Sequence, residues 1–289
     1  MSVQTKLASG EFLILAEMEP PKGVDASAMV SSAMRVKGKV DAFLVPEMSN
    51  AVMRMSSLGG CMLLQSRGLE TVMQVCCRDR NRLALQADLL AANALGVSNL
   101  MAITGEDPSY GDHNKTRAVH DIDLMELIDG IRKLQSGKDM AGIELKGSPS
   151  FCLGSMVKAG ASGGVLELEI ENMDQRIAAG VEFFTTTPIF DLEVLARFKK
   201  RLGDRKVRLI PTVLLLKSAG MANYIDRHLD YVHIPPGLIR RIQKAPDKAR
   251  ECVKIAAELV AALKDSGEYS GVLISTIGWE DKLPDILEV

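Results

Sequence analysis

Strand-length apolar runs alternate with segments of helical periodicity along the sequence, and eight such runs can be distinguished. This alternation is typical of parallel α/β folds, in which each strand is followed by a helix that covers the sheet. Eight strands separated by helices favour a closed barrel over an open sheet. Because no linker-like or low-complexity stretch interrupts the series, the sequence predicts a single (β/α)8 TIM barrel spanning residues 1–289.

The predicted elements follow one another in strand–helix order. The strands are predicted at residues 12–19, 42–45, 71–76, 99–104, 150–153, 183–187, 208–215 and 271–277. The helices are predicted at residues 26–36, 57–65, 80–95, 123–134, 165–179, 192–202, 218–227 and 248–264. Asp25 and Asp79 are expected to cap the first and third helices, and Gly96 to end the third. A glycine-rich loop is expected after the fifth strand, and a brief extended piece at 231–234.

Composition and charge narrow the class of protein. The chain is 47% hydrophobic and 25% charged, which supplies a full core. Its formal charge of −2 offers no electrostatic case for binding nucleic acid or an anionic membrane. The apolar run at residues 12–16 is too short for a signal peptide core or a membrane span. A cytoplasmic location is therefore expected.

The cysteines and the known short motifs give little support to metal or nucleotide chemistry. The five cysteines are an odd count without CxxC spacing, and they are interpreted as reduced, small apolar residues. Cys76 and Cys77 are adjacent and would point to opposite faces of a strand, so no metal site is predicted. The absence of HExxH, P-loop and GxGxxG patterns weakens zinc protease, nucleotide hydrolase and Rossmann interpretations.

Polar side chains occur where the predicted strands end, which is where (β/α)8 barrels place their active sites. The residues selected by this rule are Glu17, Glu19, Glu47, Gln74, Thr104, Glu106 and Thr185–Thr187. Glu17 lies within a mostly apolar strand, and a carboxylate there is costly unless it has a function or a buried partner; both interpretations stay open. Glu106 directly follows the fourth strand and begins a long polar loop, residues 106–121, that also carries His113 and His120. Loops of this length in compact domains are usually functional.

Several stretches resemble the 5,10-methylenetetrahydrofolate reductase family. The first is EMEPP at residues 17–21, a glutamate two positions before a proline pair. The most specific is residues 75–113, in which the third strand, an RDRN turn, an alanine-rich helix, and the fourth strand with TGE and GDH follow in the family's order. The stretches HIPPGLIRRI and GVLISTIGWEDKLPDIL are similar too, so the resemblance covers about residues 11–288.

The resemblance implies a flavoprotein of one-carbon metabolism and methionine biosynthesis. It would reduce 5,10-methylenetetrahydrofolate to 5-methyltetrahydrofolate with FAD, or FMN, that is itself reduced by NADH or NADPH. Glu17 matches the acid that activates the folate's bridging methylene by protonation, and Glu106 is the second catalytic acid. The implied cofactor contacts are Gln74, Thr104, Gly105, Glu106, His120 and Asp121, and the implied substrate contacts are Glu17, Glu106 and Thr187. A homo-oligomer, or a complex with an electron-donating subunit, is the implied assembly.

This sequence also departs from the family pattern. Pro46 replaces a flavin-contacting threonine and has no donor, Gln74 replaces a histidine, and Thr187 replaces a folate-contacting glutamine. Glu106 stands where relatives carry aspartate, and Trp279 where some carry arginine. Two alternatives to the reductase stay open, and these changes motivate the first. One is a flavin-free or repurposed paralogue that acts as a folate-binding or subunit-scaffolding barrel. The other is a pterin-handling methyltransferase that works with a corrinoid partner.

Overall fold

The computed structural model describes residues 2–288 and contains a closed barrel of parallel strands. Each strand pairs with its neighbours in sequence order, and β8 returns to pair with β1. The strands are β1 (Leu13–Glu17), β2 (Ala42–Val45), β3 (Thr71–Cys76), β4 (Asn99–Ile103), β5 (Cys152–Val157), β6 (Phe183–Pro188), β7 (Leu209–Leu214) and β8 (Gly271–Ser275). The predicted (β/α)8 barrel is therefore confirmed.

Helices connect the strands and pack around the barrel. They are α1 (Val3–Ser9), α2 (Ser27–Arg35), α3 (Ser57–Gln65), α4 (Arg82–Ala94), α5 (Leu124–Gln135), α6 (Gly163–Ala178), α7 (Leu192–Leu202), α8 (Ala219–His228), α9 (Pro236–Lys244), α10 (Lys248–Asp265) and α11 (Leu283–Ile286). The short α1 precedes β1 and was not predicted from the sequence. Its buried residues Val3 and Leu7 belong to the same apolar cluster as Leu13 at the start of β1, so α1 covers the amino-terminal end of the barrel.

The apolar core has two layers, because side chains on a strand alternate between the barrel interior and the helices. The interior layer comes from one face of each strand and consists of Leu13, Leu15, Ala42, Leu44, Val72, Met101, Cys152, Phe183, Ile210 and Leu273. The opposite faces form the larger layer between strands and helices. Strands buried on both faces give near-continuous hydrophobic runs, which explains why the sequence revealed most of them.

The prediction for the fifth strand was wrong. Residues 154–157, expected to belong to a glycine-rich loop, continue β5 and pair with β6. Gly154 is required here because a Cβ at this position would lie 2.2 Å from Cζ of Phe183 on β6. The glycine therefore makes room for an aromatic ring inside the barrel, and it does not mark a turn.

Three local predictions also need correction. Asn81, and not Asp79, caps α4, and its side chain accepts a hydrogen bond from the Ala84 N–H. Asp25 accepts from the Ser27 N–H but lies one residue before the cap of α2. The segment 231–234 forms no strand; it is followed by α9, a helix that the sequence analysis did not predict.

The pairing of β6 with β7 contains an irregularity near the carboxyl ends of these strands. Thr185 pairs with Ile210, but the next pair is Pro188 with Thr212, so β6 has one more residue than β7 across this interval. The Thr186 hydroxyl accepts a hydrogen bond from the Thr212 N–H at 3.1 Å and replaces a carbonyl of the regular ladder. Bulges of this kind re-aim side chains and are common next to active sites.

Over residues 2–288, no helix is long and apolar enough to cross a membrane.

Candidate active site

Glu17 is the last residue of β1 and lies at the carboxyl end of the barrel. Strand alternation places it on the same face as Leu13 and Leu15, which belong to the interior layer. Its carboxylate accepts a hydrogen bond of 2.9 Å from the hydroxyl of Ser275, the last residue of β8. Because β8 and β1 are neighbours in the closed barrel, two residues from opposite ends of the sequence meet there.

The surroundings of Glu17 favour the uncharged carboxylic acid. Loss of solvation is the largest effect; with repulsion from the carboxylates of Glu19, Glu280 and Glu106, it raises the pKa of Glu17 to about 7. The Ser275 hydroxyl acts in the opposite direction, because it donates to the ionised form. A carboxylic acid with such a pKa can donate a proton at neutral pH.

Glu19 lies two residues after Glu17, just beyond the end of β1, and its environment differs. It forms an ion pair with Arg54 at 2.9 Å. Burial raises the pKa of Glu19, while the charges of Arg54 and Lys217 oppose that rise. Lys217, which follows β7, also lies over the ring of Trp279, 5.4 Å from its centroid. This distance is within the range of cation–π contacts. Glu19 therefore belongs to a charged rim at the carboxyl end of the barrel, which it forms with Arg54 and Lys217. Glu17 lies inside this rim, on the inner face of the barrel.

Glu106 follows β4 at the same end of the barrel as Glu17 and contributes to the raised pKa of that residue. Its side chain is exposed and forms a long ion pair with Arg78 at 3.4 Å. Arg78 is almost completely buried. Its guanidinium also binds both carboxylate oxygens of Asp79 at 2.7 Å and donates to the Glu106 and Met48 carbonyls. Arg78 thus ties together the loops that follow β2, β3 and β4.

Gly105 occupies a backbone position that excludes a side chain. Its φ is +89°, and a Cβ would lie 2.3 Å from Sγ of Cys76. The Cys76 thiol donates to the Thr104 carbonyl at 3.2 Å, so the turn after β4 lies directly against the end of β3. This close approach positions Glu106 at the barrel mouth.

Gln74 and Glu47, both selected from the sequence, have structural contacts. The Gln74 side-chain carbonyl accepts from the Glu47 N–H at 2.9 Å, next to Pro46, which lacks a donor. Glu47 is buried; it accepts from the Ser57 N–H at 2.7 Å and pairs with Arg80 at 2.8 Å. The expectation that Glu47 faces the site was wrong, because its carboxylate holds the start of α3.

Two residues of the predicted cofactor set, His120 and Asp121, make no hydrogen bond or ion pair with Glu17 within residues 2–288. Asp121 binds Arg82 at the start of α4, accepting from its backbone N–H and from Nε, each at 2.9 Å. These bonds lower the pKa of Asp121. The carboxylate of Asp121 therefore has a structural role at the start of α4. His120 is exposed, and its φ of 39° lies in the left-handed region.

Two functional candidates were missed by sequence reasoning, Ser275 and Thr212. Both are neutral hydroxyl residues inside apolar strands, and only the barrel register shows which polar groups they face. Thr212 is buried and its hydroxyl has no hydrogen-bond partner among the described residues, as is true of the hydroxyl of Thr187 on β6. Thr187 was predicted to contact substrate, and it lies in the irregular segment of β6.

A cavity of about 460 Å³ opens elsewhere, near the amino-terminal ends of β6 and β7. Its lining includes Arg132, Lys206 and Arg208. Active sites of (β/α)8 barrels form at the opposite end, where Glu17 and Glu106 lie. The cavity is therefore not part of the candidate active site.

The fold and this site define a (β/α)8 barrel with a buried acid at its carboxyl end, the carboxyl group of Glu17, whose pKa is raised to about 7. The chain matches the family model described as methylenetetrahydrofolate reductase over residues 2–289, and it belongs to that family.

Two relatives illustrate how far the similarity extends. The chain is 21% identical over 247 residues to methylenetetrahydrofolate reductase 2 of Schizosaccharomyces pombe; this covers 78% of the chain and 36% of that protein. The chain thus spans little more than a third of that curated relative. An uncharacterized protein from Clostridium thermocellum that binds two copies of 5-methyl-5,6,7,8-tetrahydrofolic acid has a similar structure. The TM-score is 0.65 at 12% identity, covering 99% of this chain and 96% of that one, which supports the fold alone.

Proposed function

We propose that this protein binds a reduced folate at the carboxyl end of the barrel and reduces 5,10-methylenetetrahydrofolate to 5-methyltetrahydrofolate. The observation that carries the proposal is the Glu17 carboxyl, whose pKa is raised to about 7 on the inner face of the barrel. Membership of the methylenetetrahydrofolate reductase family supports this reaction class. The name of the S. pombe relative and the methyltetrahydrofolate bound by the C. thermocellum protein support the substrate class.

Glu17 is proposed as the general acid that protonates the folate and so activates its bridging methylene. With a pKa near the working pH, a carboxyl group can both hold this proton and release it in the transition state. Glu106 has a different role, because it is exposed and paired with Arg78. Glu106 is a negative group at the rim of the barrel, and it is proposed to bind the polar edge of the folate's ring system next to Glu17.

A flavin suits part of the residue set at this end of the barrel. Gln74, Thr104 and Glu106 lie at the ends of β3 and β4, and the Gly105 backbone leaves room for close approach. These residues, with the exposed His120, are the groups proposed to hold the polar edge of the flavin ring. Bound FAD, or FMN, would supply the hydride, with NADH, NADPH or an electron-donating subunit as its reductant.

A flavin-free folate-binding barrel is the second candidate function. It is favoured by the contacts of Gln74 and Asp121, since the Gln74 carbonyl binds the Glu47 N–H and the Asp121 carboxylate binds Arg82. Pro46 adds to this, because a proline offers no donor at the end of β2. Both candidates share the folate site at Glu17 and differ only in redox chemistry.

An absorption spectrum of the purified protein, before and after incubation with FAD or FMN, separates the two candidates. Flavin bands that bleach anaerobically with reduced nicotinamide and return on addition of 5,10-methylenetetrahydrofolate would establish the reductase. Bands that bleach only with dithionite would identify an electron-donating partner as the missing component. A colourless protein that binds 5-methyltetrahydrofolate but takes up no flavin would establish the second candidate.

The variant Glu17→Gln tests the role of the acid in the reductase. We expect it to abolish folate reduction while flavin reduction by nicotinamide proceeds, because the amide cannot donate the required proton. Glu171→Gln, at an exposed position on α6, is the matched control. Turnover of folate by Glu17→Gln at the rate of the control would defeat the assignment of Glu17.

A further inference from the structure

The cavity of about 460 Å³ at the amino-terminal end of the barrel lies at the end opposite Glu17. Its walls come from the segments that lead into β5, β6 and β7 and from the last turns of α5 and α6. A volume of this size is within the range of small-ligand sites in proteins. Because the proposed reaction takes place at the other end of the barrel, the cavity needs an explanation of its own.

Three cationic side chains line this cavity, and they belong to Arg132, Lys206 and Arg208. Among residues 2–288, none of the three forms an ion pair. Glu182 supplies the one carboxylate of the lining, so three positive charges stand against one negative charge. Cations gathered in this way repel one another and attract anions to the cavity.

Packing holds two of these cations at the cavity wall. Gly180 has a φ of +102°, and a Cβ there would lie 2.7 Å from Nε of Arg132. The glycine therefore lets the Arg132 guanidinium lie against the turn between α6 and β6. Arg208 donates from Nε to the Leu7 carbonyl, in the last turn of α1, at 2.9 Å. Within residues 2–288, the remaining N–H groups of the Arg208 guanidinium have no partner.

Helix-end electrostatics explains only one of the three cations. Arg132 lies in the last turn of α5, where a positive charge offsets the partial negative charge of the helix carbonyls. Lys206 and Arg208 belong to the connection between α7 and β7, outside any helix. The end of α7 already has three basic residues of its own in its last turn. Lys206 and Arg208 are therefore in excess of what the helix ends call for.

An unpaired acceptor lies in the same wall. The side-chain amide of Gln135 donates from Nε2 to the Phe151 carbonyl at 3.2 Å, which fixes its orientation. Its Oε1 is buried and has no hydrogen-bond partner in the described part of the chain. Buried acceptors without a partner are uncommon. A ligand that satisfies this wall therefore carries a hydrogen-bond donor as well as negative charge.

We propose that this cavity binds a small phosphorylated molecule. Arg132, Lys206 and Arg208 would bind the phosphate, and a hydroxyl or N–H group of the same molecule would donate to Gln135. A phosphate presents oxygens in several directions, which suits cations that come from separate elements, and each guanidinium can bind two of these oxygens at once. The apolar part of the wall, which includes Phe151, would contact the rest of the molecule. This site is separate from the proposed folate site.

Calorimetric titration with inorganic pyrophosphate at constant ionic strength tests the proposal. Wild type should bind one equivalent at this cavity. Lys206→Gln and Arg132→Gln should each bind about 5- to 10-fold more weakly, because each removes a charge-assisted hydrogen bond to the phosphate. Lys248→Gln is the matched control, since Lys248 is exposed at the start of α10 and outside the cavity lining. It should bind pyrophosphate as wild type does.

Gly180→Ala tests the geometry of the site without changing its charge. The new methyl group would displace the Arg132 guanidinium, so pyrophosphate should bind about 5- to 10-fold more weakly although every cation is still present. Urea unfolding of the same sample shows that the variant is folded. If Gly180→Ala does not fold, Lys206→Gln and Arg132→Gln still decide the question.

Three results would overturn the proposal. The first is a wild-type protein that binds no pyrophosphate. The second is binding that Lys206→Gln and Arg132→Gln leave unchanged, because the anion then occupies another site. The third is equal weakening by Lys248→Gln, which would indicate attraction to the overall charge and no defined site. None of these results depends on folate binding or on flavin, so the proposed function is tested separately.

Discussion

The Ser275 hydroxyl donates to the Glu17 carboxylate at 2.9 Å across the seam where β8 closes on β1. The two residues are 258 positions apart in the sequence. The bond stabilises the ionised form of Glu17, whereas burial and the neighbouring carboxylates favour the neutral form. Barrel closure therefore supplies the group that moderates the pKa of the proposed acid.

Removing this hydroxyl should make Glu17 a weaker acid. In Ser275→Ala, burial is no longer opposed by the hydrogen bond, and we expect the pKa of Glu17 to rise by about one unit. The acidic form should then persist to higher pH, which moves the corresponding limb of the kcat/KM profile for folate upward. Carbon NMR of the Glu17 carboxyl measures the same shift without turnover. An unchanged titration in Ser275→Ala would show that the bond does not act on the acid.

The raised pKa of Glu17 also predicts how stability depends on pH. The folded protein binds this proton up to about pH 7, whereas the unfolded chain releases it near the ordinary value of 4.5. The folded state therefore holds more protons between these values, and stability falls as the pH rises through this window. The full effect, reached above pH 7, is about 3 kcal/mol.

Glu17→Gln should remove this part of the pH dependence. Urea unfolding at pH 5 and at pH 8 should show that the variant gains stability relative to wild type as the pH rises. Glu171→Gln, at an exposed site, serves as the control and should follow the wild-type profile. Parallel profiles for Glu17→Gln and wild type would contradict a proton held by Glu17 in the folded state.

Most of the fold could be predicted from the sequence because the strands are buried on both faces. The limits predicted for β2, β3, α3 and α7 coincide with the observed elements, because continuous apolar runs and helical periodicity both follow from local burial. The error at β5 had a non-local cause. Gly154 resembled a loop residue, but it is small because Phe183, a residue on the neighbouring strand, fills the space above it.

The candidate site could be predicted only where a single residue is unusual for its position in the sequence. A carboxylate in an apolar strand marked Glu17 as unusual, and the position directly after the fourth strand, at the start of a long polar loop, selected Glu106. The groups that act on these acids, Ser275 and Arg78, look ordinary in the sequence, since their importance depends on strand register and loop packing. Glu47 looked like a site residue, but Arg80 and the start of α3 satisfy it.

Gly154→Ala should destabilise the barrel through one identifiable contact. The added methyl group would overlap the Phe183 ring, and overpacking of this kind costs about 1–3 kcal/mol. Combining it with Phe183→Leu should be less destabilising than the sum of the two single changes, because the smaller side chain relieves the overlap. Gly164→Ala, on α6, has open space around the new Cβ and should leave stability nearly unchanged. Strict additivity of Gly154→Ala and Phe183→Leu in urea unfolding would argue against this contact.

A buried ion pair anchors α6 to the carboxyl end of β5. Arg176 and Glu169, both on α6, pair at 2.9 Å and are largely excluded from solvent. Arg176 also donates to the Met156 carbonyl at 2.6 Å and to the Ser155 hydroxyl at 3.1 Å. Its side chain thus holds the strand whose end forms one wall of the barrel mouth.

Arg176→Met should therefore destabilise the protein by about 3–5 kcal/mol, because it leaves the Glu169 carboxylate buried without its cation. The double variant Arg176→Met, Glu169→Leu should recover most of that loss, since an apolar pair needs no charge compensation. Urea unfolding of wild type, Arg176→Met, Glu169→Leu and the double variant forms a complete double-mutant cycle. If the double variant is as unstable as Arg176→Met, the hydrogen bonds to β5, and not the buried charge, account for the effect.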